Sequence, residues 1–282
     1  MFMGTGAILG GRYELGPILG HGGQSVVYRA KDLVDGDECA IKLVSGAIGD
    51  PDALERIFRE AQSLSQLMGT AAVRVLHQVR TEDGGFGLVM ELLEGENLEA
   101  RLEAMAARGE RADRKFVYDV FGPIVSTLDT AHQRGLVHRD LKAENIFLVD
   151  DAHGGGVRLL DFGFVKLLRS PSITGADVVA GSPHYIAPET FMRGAAVIDS
   201  RVDVYSIGVL LFRTLAGHPP FSGTVVEIMR DALSAERPSL HALRPDLSPD
   251  VDAWVRQALA PDPEDRFRTV GATFRALLGC FV

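Results

Sequence analysis

A chain of 282 residues is long enough to bury one large core or two modest ones. Its 29 basic against 38 acidic side chains leave a net charge of −9, which argues against a phosphate-backbone binder and so against nucleic acid as a partner. Two cysteines far apart in sequence, Cys39 and Cys280, with no Cys/His cluster at zinc spacing, point to a reducing compartment without a disulfide framework or structural zinc. Met1 to Gly6 lacks the basic start and long apolar run of a signal peptide. The longest apolar run, Val204 to Phe212, is far short of the roughly 20 residues a membrane span needs, so a soluble, cytoplasmic chain without a membrane segment is expected.

In chain order, Arg12-Tyr13-Glu14-Leu15 and Ser25 to Ala30 read as two strands, with Gly20-His21-Gly22-Gly23-Gln24-Ser25 as the glycine-rich turn between them. Cys39-Ala40-Ile41-Lys42-Leu43-Val44 alternates as a third strand does, with Cys39 as a small apolar packer. A segment beginning near Pro51 carries Leu54, Ile57, Phe58, Ala61, Leu64 and Leu67 at helical spacing and sets Glu60 at the edge of that face. Strands follow at Val73 to Arg80 and Phe86 to Glu91, across the turn Glu82-Asp83-Gly84-Gly85. Two helices are predicted over Leu98 to Arg108 and Arg114 to Arg134, the second with the apolar stripe Val117, Val120, Phe121, Ile124, Leu128 and Ala131. Pro123 lies inside that stripe and should kink the helix or free one carbonyl. Ile146 to Leu148 and Val157 to Leu160 pair across a glycine turn, a polar stretch runs from Gly163 to Gly181, and further helices are predicted near Val225 to Ala235, Pro249 to Leu259 and Thr269 to Leu278. No internal repeat or low-complexity tract interrupts this order.

Between the second long helix and the late hairpin stands His138-Arg139-Asp140-Leu141-Lys142-Ala143-Glu144-Asn145, and directly after the hairpin comes Asp161-Phe162-Gly163. This H-R-D-L-x-x-x-N stretch, followed at that spacing by D-F-G, closely resembles the eukaryotic-like (Hanks-type) Ser/Thr protein kinases, in particular those of bacteria. The glycine-rich turn before an A-I-K strand, Ala187-Pro188-Glu189, and Asp203 to Gly208 as D-x-x-S-x-G extend the resemblance over nearly the whole chain, Arg12 to Leu278. It implies an α+β bilobal fold: residues 1–93 form a small antiparallel-sheet N-lobe with one key helix, residues 94–282 a larger, mainly helical C-lobe, and ATP binds in the cleft.

Phosphoryl transfer asks a protein for positioning and charge neutralisation more than for covalent help, and the residue types suit that demand. By the resemblance, Asp140 orients the attacking hydroxyl and accepts its proton, while Lys142 neutralises the transferring phosphate. Asn145 and Asp161 offer an uncharged oxygen and a carboxylate to Mg²⁺, with Mn²⁺ as an alternative metal. Lys42 reaches the α- and β-phosphates and is held by Glu60, for which Glu55 is the rival. Gly20, Gly22, Gly23, Val27 and Ala40 belong to the nucleotide-binding set, although Ser25 stands where the family has its third glycine. Met90 guards the pocket behind the adenine, and the backbone of Glu91 and Leu93 offers the acceptor and donor that adenine requires.

The same resemblance gives Glu189 a structural pairing with Arg266, has Asp203 accept catalytic-loop amides, and packs His138 beneath the loop, leaving the other histidines surface or core roles. Lys142 and Ser182, whose hydroxyl bridges Asp140 and Lys142, mark protein Ser/Thr hydroxyls as the acceptor. Arg139, directly before Asp140, calls for an anion, and a phosphate on the activation segment suits a guanidinium. Thr174, beside the flexible Gly175, is the first candidate for autophosphorylation and Ser172 the second, with a transient homodimer as the assembly that would allow it. Two other readings fit a similar fold: a pseudokinase scaffold, for which only Ser25 speaks, and a small-molecule kinase, which would lack the peptide-docking segment ending in Ala187-Pro188-Glu189.

Overall fold

A computed structural model of the chain describes residues 4–21, 25–44, 64–81, 85–162, 183–193, 199–234 and 236–282. These fall into two compact units, one up to Glu94 and the other from Gly95 to Val282.

The N-terminal unit is a six-stranded antiparallel sheet built from β1 (Ile8–Leu9), β2 (Tyr13–His21), β3 (Ser25–Asp32), β4 (Glu38–Val44), β5 (Val75–Arg80) and β6 (Phe86–Glu91), in the order β1-β2-β3-β4-β6-β5. Strand alternation divides the side chains. Cys39, Ile41 and Leu43 of β4 join Tyr13, Leu15, Val26, Tyr28 and Val89 in one buried cluster. Ala40 and Lys42 therefore point to the other face. Burial pushes the Cys39 thiol up to about 11, consistent with an inert apolar packer. The expected glycine-rich turn needs correction at its start: Gly20 and His21 are still strand, paired with Val27 and Val26. What lets β2 run on is an irregular register between Leu15 and Gly20, where Pro17 has no N–H to give the ladder.

The C-terminal unit opens with a strand the periodicity did not suggest, β7 (Gly95–Asn97), which pairs with β8 (Ile146–Val149), itself paired with β9 (Val157–Leu159). Gly95 is obligatory here: its φ is 145°, and a Cβ would lie 2.1 Å from the Leu148 carbonyl oxygen. Asn97 ends the strand and caps α1 (Leu98–Ala107), its Oδ1 accepting from the Ala100 amide at 2.9 Å. Asp113 caps α2 (Arg114–Gln133) in the same way, and the predicted stripe from Val117 to Ala131 is buried. Pro123 does not end α2; the helix runs through it, and the Thr127 hydroxyl donates to the Pro123 carbonyl at 2.9 Å.

After α3 (Pro188–Arg193) comes α4 (Arg201–Ala216), around which α5 (Val225–Ser234), the short α6 (Leu240–Leu243), α7 (Val251–Ala258) and α8 (Val270–Leu278) complete the unit. Every residue from Val202 to Phe212 is buried, so α4 is a core helix with no polar face. Gly208 brings α7 close: a Cβ there would meet that of Ala258 at 3.1 Å. Among the described residues no helix is long and apolar enough to cross a membrane.

Arg266 ties α3 to this helical core. Its two outer nitrogens donate to Glu189 at 2.8 and 2.7 Å, and it also donates to the Ala260, Pro261 and Arg201 carbonyls. Both side chains are buried, so removing one partner strands the other's charge. Arg266→Met should therefore lower the unfolding free energy in urea by about 3–5 kcal/mol, and a loss below about 1 kcal/mol would contradict the pairing's assigned role.

Candidate functional site

The site residues lie on both units. In the N-terminal unit the strand register sets Gly20 opposite Val27, Val27 opposite Lys42, and Ala40 opposite Met90. Directly paired residues share a sheet face, as do residues two apart, so Gly20, Val27, Ala40, Lys42 and Met90 form one patch on the face away from the buried cluster. Glu91 ends β6, its amide donating to the Arg74 carbonyl at 3.0 Å, and Leu93 follows outside the strand. A polar cavity of about 510 Å³ opens elsewhere, lined by Asp32, Asp37, Cys39, Arg74, His77 and Glu91 among others. Of the expected site residues it touches Glu91 alone. Gly22, Gly23 and Glu60, and likewise Ser172, Thr174 and Ser182, lie outside the described residues.

In the C-terminal unit the loop between α2 and β8 is held from below by one carboxylate. Asp203 Oδ2 accepts the His138 amide at 2.8 Å and Oδ1 accepts the Arg139 amide at 2.9 Å. His132 Nε2 completes the set at 2.7 Å from Oδ2. Full burial favours protonation of Asp203, yet the hydrogen bond and charge of His132, with the His138 amide, outweigh it and keep the carboxyl below its ordinary value. The loop needs such anchoring because Arg139 sits at φ 63°, a left-handed conformation that costs a branched-off side chain energy. His132 was expected only in a surface or core role; the available signal was its place four residues after Leu128, on the buried side of α2.

His138 connects this anchor to Asp140 and to the end of β9. Its Nε2 donates to the Leu160 carbonyl at 2.9 Å, and its Nδ1 accepts the Asp140 amide at 3.3 Å. Those two bonds define one neutral tautomer. Its ring packs against Phe162, centroids 4.7 Å apart. The Leu160 amide in turn donates to the Asn145 carbonyl at 2.8 Å, continuing the β8–β9 ladder, so Asn145 and Asp161 flank its last rung. Asp161 is itself left-handed, φ 53°.

Around Asp140 the polar groups converge. Asn145 Nδ2 donates to the Asp140 carbonyl at 2.8 Å and to its Oδ2 at 3.3 Å, while Lys142 Nζ stands 3.7 Å from the same Oδ2. Because Asn145 commits its N–H groups to Asp140, its side-chain oxygen can serve only as an acceptor. An uncharged oxygen and a carboxylate so placed are a donor set that fits a hard divalent cation. The loop between α2 and β8 thus offers a partly exposed carboxylate with an ammonium and an amide beside it.

Comparison with known proteins agrees with this chemistry. Residues 13–274 match the protein kinase domain family. The chain is 37% identical over 276 residues to the serine/threonine-protein kinase PknL of Mycobacterium tuberculosis, an alignment spanning 96% of this chain and 67% of that protein. It is 36% identical over 266 residues to the serine/threonine-protein kinase PrkC of Bacillus subtilis, spanning 94% of this chain but 40% of that protein. The crystal structure of the Mycobacterium tuberculosis PknI kinase domain superposes with a TM-score of 0.73 at 25% identity, covering 98% of both chains.

The buried imidazole makes the loop acid-sensitive. Burial pushes His138 below its ordinary value, so the unfolded chain, titrating near about 6.5, takes up a proton before the folded one does. Stability is then complete above about pH 6.5 and falls as the pH drops below it, since a proton on Nδ1 would confront the Asp140 amide. The melting temperature should fall between about pH 7.5 and about pH 5.5, and less so in His138→Phe; equal slopes in the two proteins would contradict this origin.

Proposed function

The chain belongs to the protein kinase family, and we propose that it is a Ser/Thr protein kinase that transfers the γ-phosphoryl group of MgATP to hydroxyls of protein substrates. The observation that carries this reading is the Asp140 cluster: a carboxylate bonded by Asn145 and approached by Lys142, on a loop fixed to a buried aspartate. Asp140 orients the incoming hydroxyl and takes its proton; Lys142 offsets charge on the phosphoryl group in flight. Asn145 and Asp161 would hold Mg²⁺, which supplies neutralisation of the phosphate oxygens when bound, and Mn²⁺ satisfies the same oxygen donors. Lys42, with Glu60 as its anion, holds the α- and β-phosphates, and Gly20, Gly22, Gly23, Val27, Ala40, Met90, Glu91 and Leu93 form the nucleotide's surroundings. The division into residues 1–93 and 94–282 belongs to the same reading, as does the bridge from Ser182 to Asp140 and Lys142.

Only Ser25, in place of the family's third glycine, speaks for a rival reading. A pseudokinase scaffold would be free to lose the Asp140, Lys142, Asn145 and Asp161 set, and every member is present. Lys42→Met and Asp161→Asn should each reduce phosphotransfer at least about 100-fold while the far-ultraviolet spectrum and melting temperature hold. Asp140→Asn should lower kcat by a comparable factor at nearly unchanged ATP affinity, because it touches the hydroxyl and not the nucleotide. Turnover near that of the unaltered protein in any of the three would overturn the assignment.

Regulation follows from Arg139, which precedes Asp140 and suits a phosphate on the activation segment. Thr174, then Ser172, is assigned as the autophosphorylated residue, in a transient homodimer. Mass spectrometry after incubation with MgATP should find phosphate at Thr174 first. An active Thr174→Ala/Ser172→Ala double variant that is also insensitive to phosphatase would rule the mechanism out.

A further inference from the structure

One partly buried charge in the C-terminal unit has no part in the chemistry above. Arg213 lies in the last turn of α4, directly after the buried stretch from Val202 to Phe212, where a guanidinium must find partners or be expelled. Its Nη1 donates to the Tyr185 hydroxyl at 2.5 Å and its Nη2 to Glu99 Oε1. The Arg213 and Glu99 side chains are 19% and 22% exposed. Burial opposes the charge on Arg213, but the bonds to Glu99 and Tyr185 outweigh it and raise its pKa. Burial pushes the Tyr185 phenol up to about 12, so it remains a protonated acceptor for the guanidinium at any working pH.

The three residues come from three separate elements: Glu99 from the first turn of α1, Arg213 from α4, and Tyr185 from the 3-10 turn Pro183–Tyr185. Tyr185 is gripped twice, since its carbonyl also accepts from the Ser206 hydroxyl at 2.7 Å. Main chain and side chain of this turn are thus bound independently to α4. The other Glu99 oxygen, Oε2, is buried and has no hydrogen-bond partner among the described residues. Its desolvation is a standing cost, so the carboxylate is held there by Arg213 and not by its own solvation.

We propose that Glu99, Arg213 and Tyr185 form a positioning lock for the peptide-docking stretch from Pro183 to Ala187. The Glu99–Arg213 ion pair aims the guanidinium, the guanidinium holds Tyr185, and Tyr185 fixes the backbone on which the substrate segment lies. The inference rests on the protein-kinase reading. None of the three residues touches nucleotide or reacting atoms, so their loss acts on peptide docking and leaves nucleotide binding alone.

The test uses the full chain as Glu99→Gln, Tyr185→Phe, and the charge-reversed pair Glu99→Arg/Arg213→Glu. The acceptor is the Ser/Thr peptide that the unaltered protein phosphorylates fastest from a degenerate library. Each single variant should raise the peptide KM about tenfold, with ATP KM within about twofold, and speed amide exchange at Ile186, whose N–H is bonded to the Pro183 carbonyl at 3.2 Å. The reversed pair should return both readouts toward the unaltered values. An unchanged peptide KM, an equal rise in ATP KM, or a reversed pair no better than the single variants would overturn the lock. Should the unaltered protein phosphorylate no peptide, the kinase reading fails, while Ile186 exchange still decides the lock: faster in Glu99→Gln supports it, unchanged overturns it.

Discussion

A single buried carboxylate, Asp203, carries the arrangement on which the rest of the site depends. Its two oxygens receive the amides of His138 and Arg139, and His132 reinforces one of them. Without those acceptors the left-handed turn at Arg139 would cost backbone strain and leave two amides unsatisfied in a water-poor interior. From there the bonds pass outward in sequence: His138 to the Leu160 carbonyl, the Leu160 amide to Asn145, and Asn145 to Asp140. Through these links the placement of Asn145 and Asp140 follows from one anchor in α4.

The same helix organises the substrate side. Ser206, one turn on from Asp203, holds the Tyr185 carbonyl, and Arg213 holds the Tyr185 hydroxyl from the far end. Arg266 stacks over the Tyr205 ring, 5.0 Å from its centroid, while clasping Glu189 at the start of α3. A largely buried helix thus distributes a few polar contacts, each to a different segment. This explains why α4 tolerates an aspartate, a serine and an arginine in an otherwise apolar run: each is paired, and the surrounding apolar side chains provide the stability that the polar groups do not.

Much of this was legible in the chain. Alternation located β4 and turn-bounded apolar runs located β3 and β6 to within about two residues, and the stripe on α2 marked its buried side. The Glu189–Arg266 pair and the Asp203 contacts were implied by the family resemblance and are present. Other features left no periodic trace. β7 is three residues long, polar but for Gly95, and ends in a residue that is also a helix cap, so local propensity favours a turn. β2 continues through Pro17 only because its register slips there, which depends on the partner strand. Arg213 looked like the polar end of an apolar run; that it faces Glu99, 114 positions away, is a tertiary fact. Pro123 is absorbed within α2 because one lost amide in a long, well-buried helix is a small fraction of its support.

The most direct test of the Asp203 account is Asp203→Asn, which keeps the shape and one acceptor but turns an NH₂ toward the catalytic-loop amides. Phosphotransfer to a Ser/Thr peptide and amide exchange at His138 and Arg139 are measured on the same preparation. The account predicts exchange at both amides faster by at least about tenfold and kcat reduced at least about 100-fold, with ATP affinity within about threefold. Unchanged exchange with turnover equal to that of the unaltered protein would contradict it.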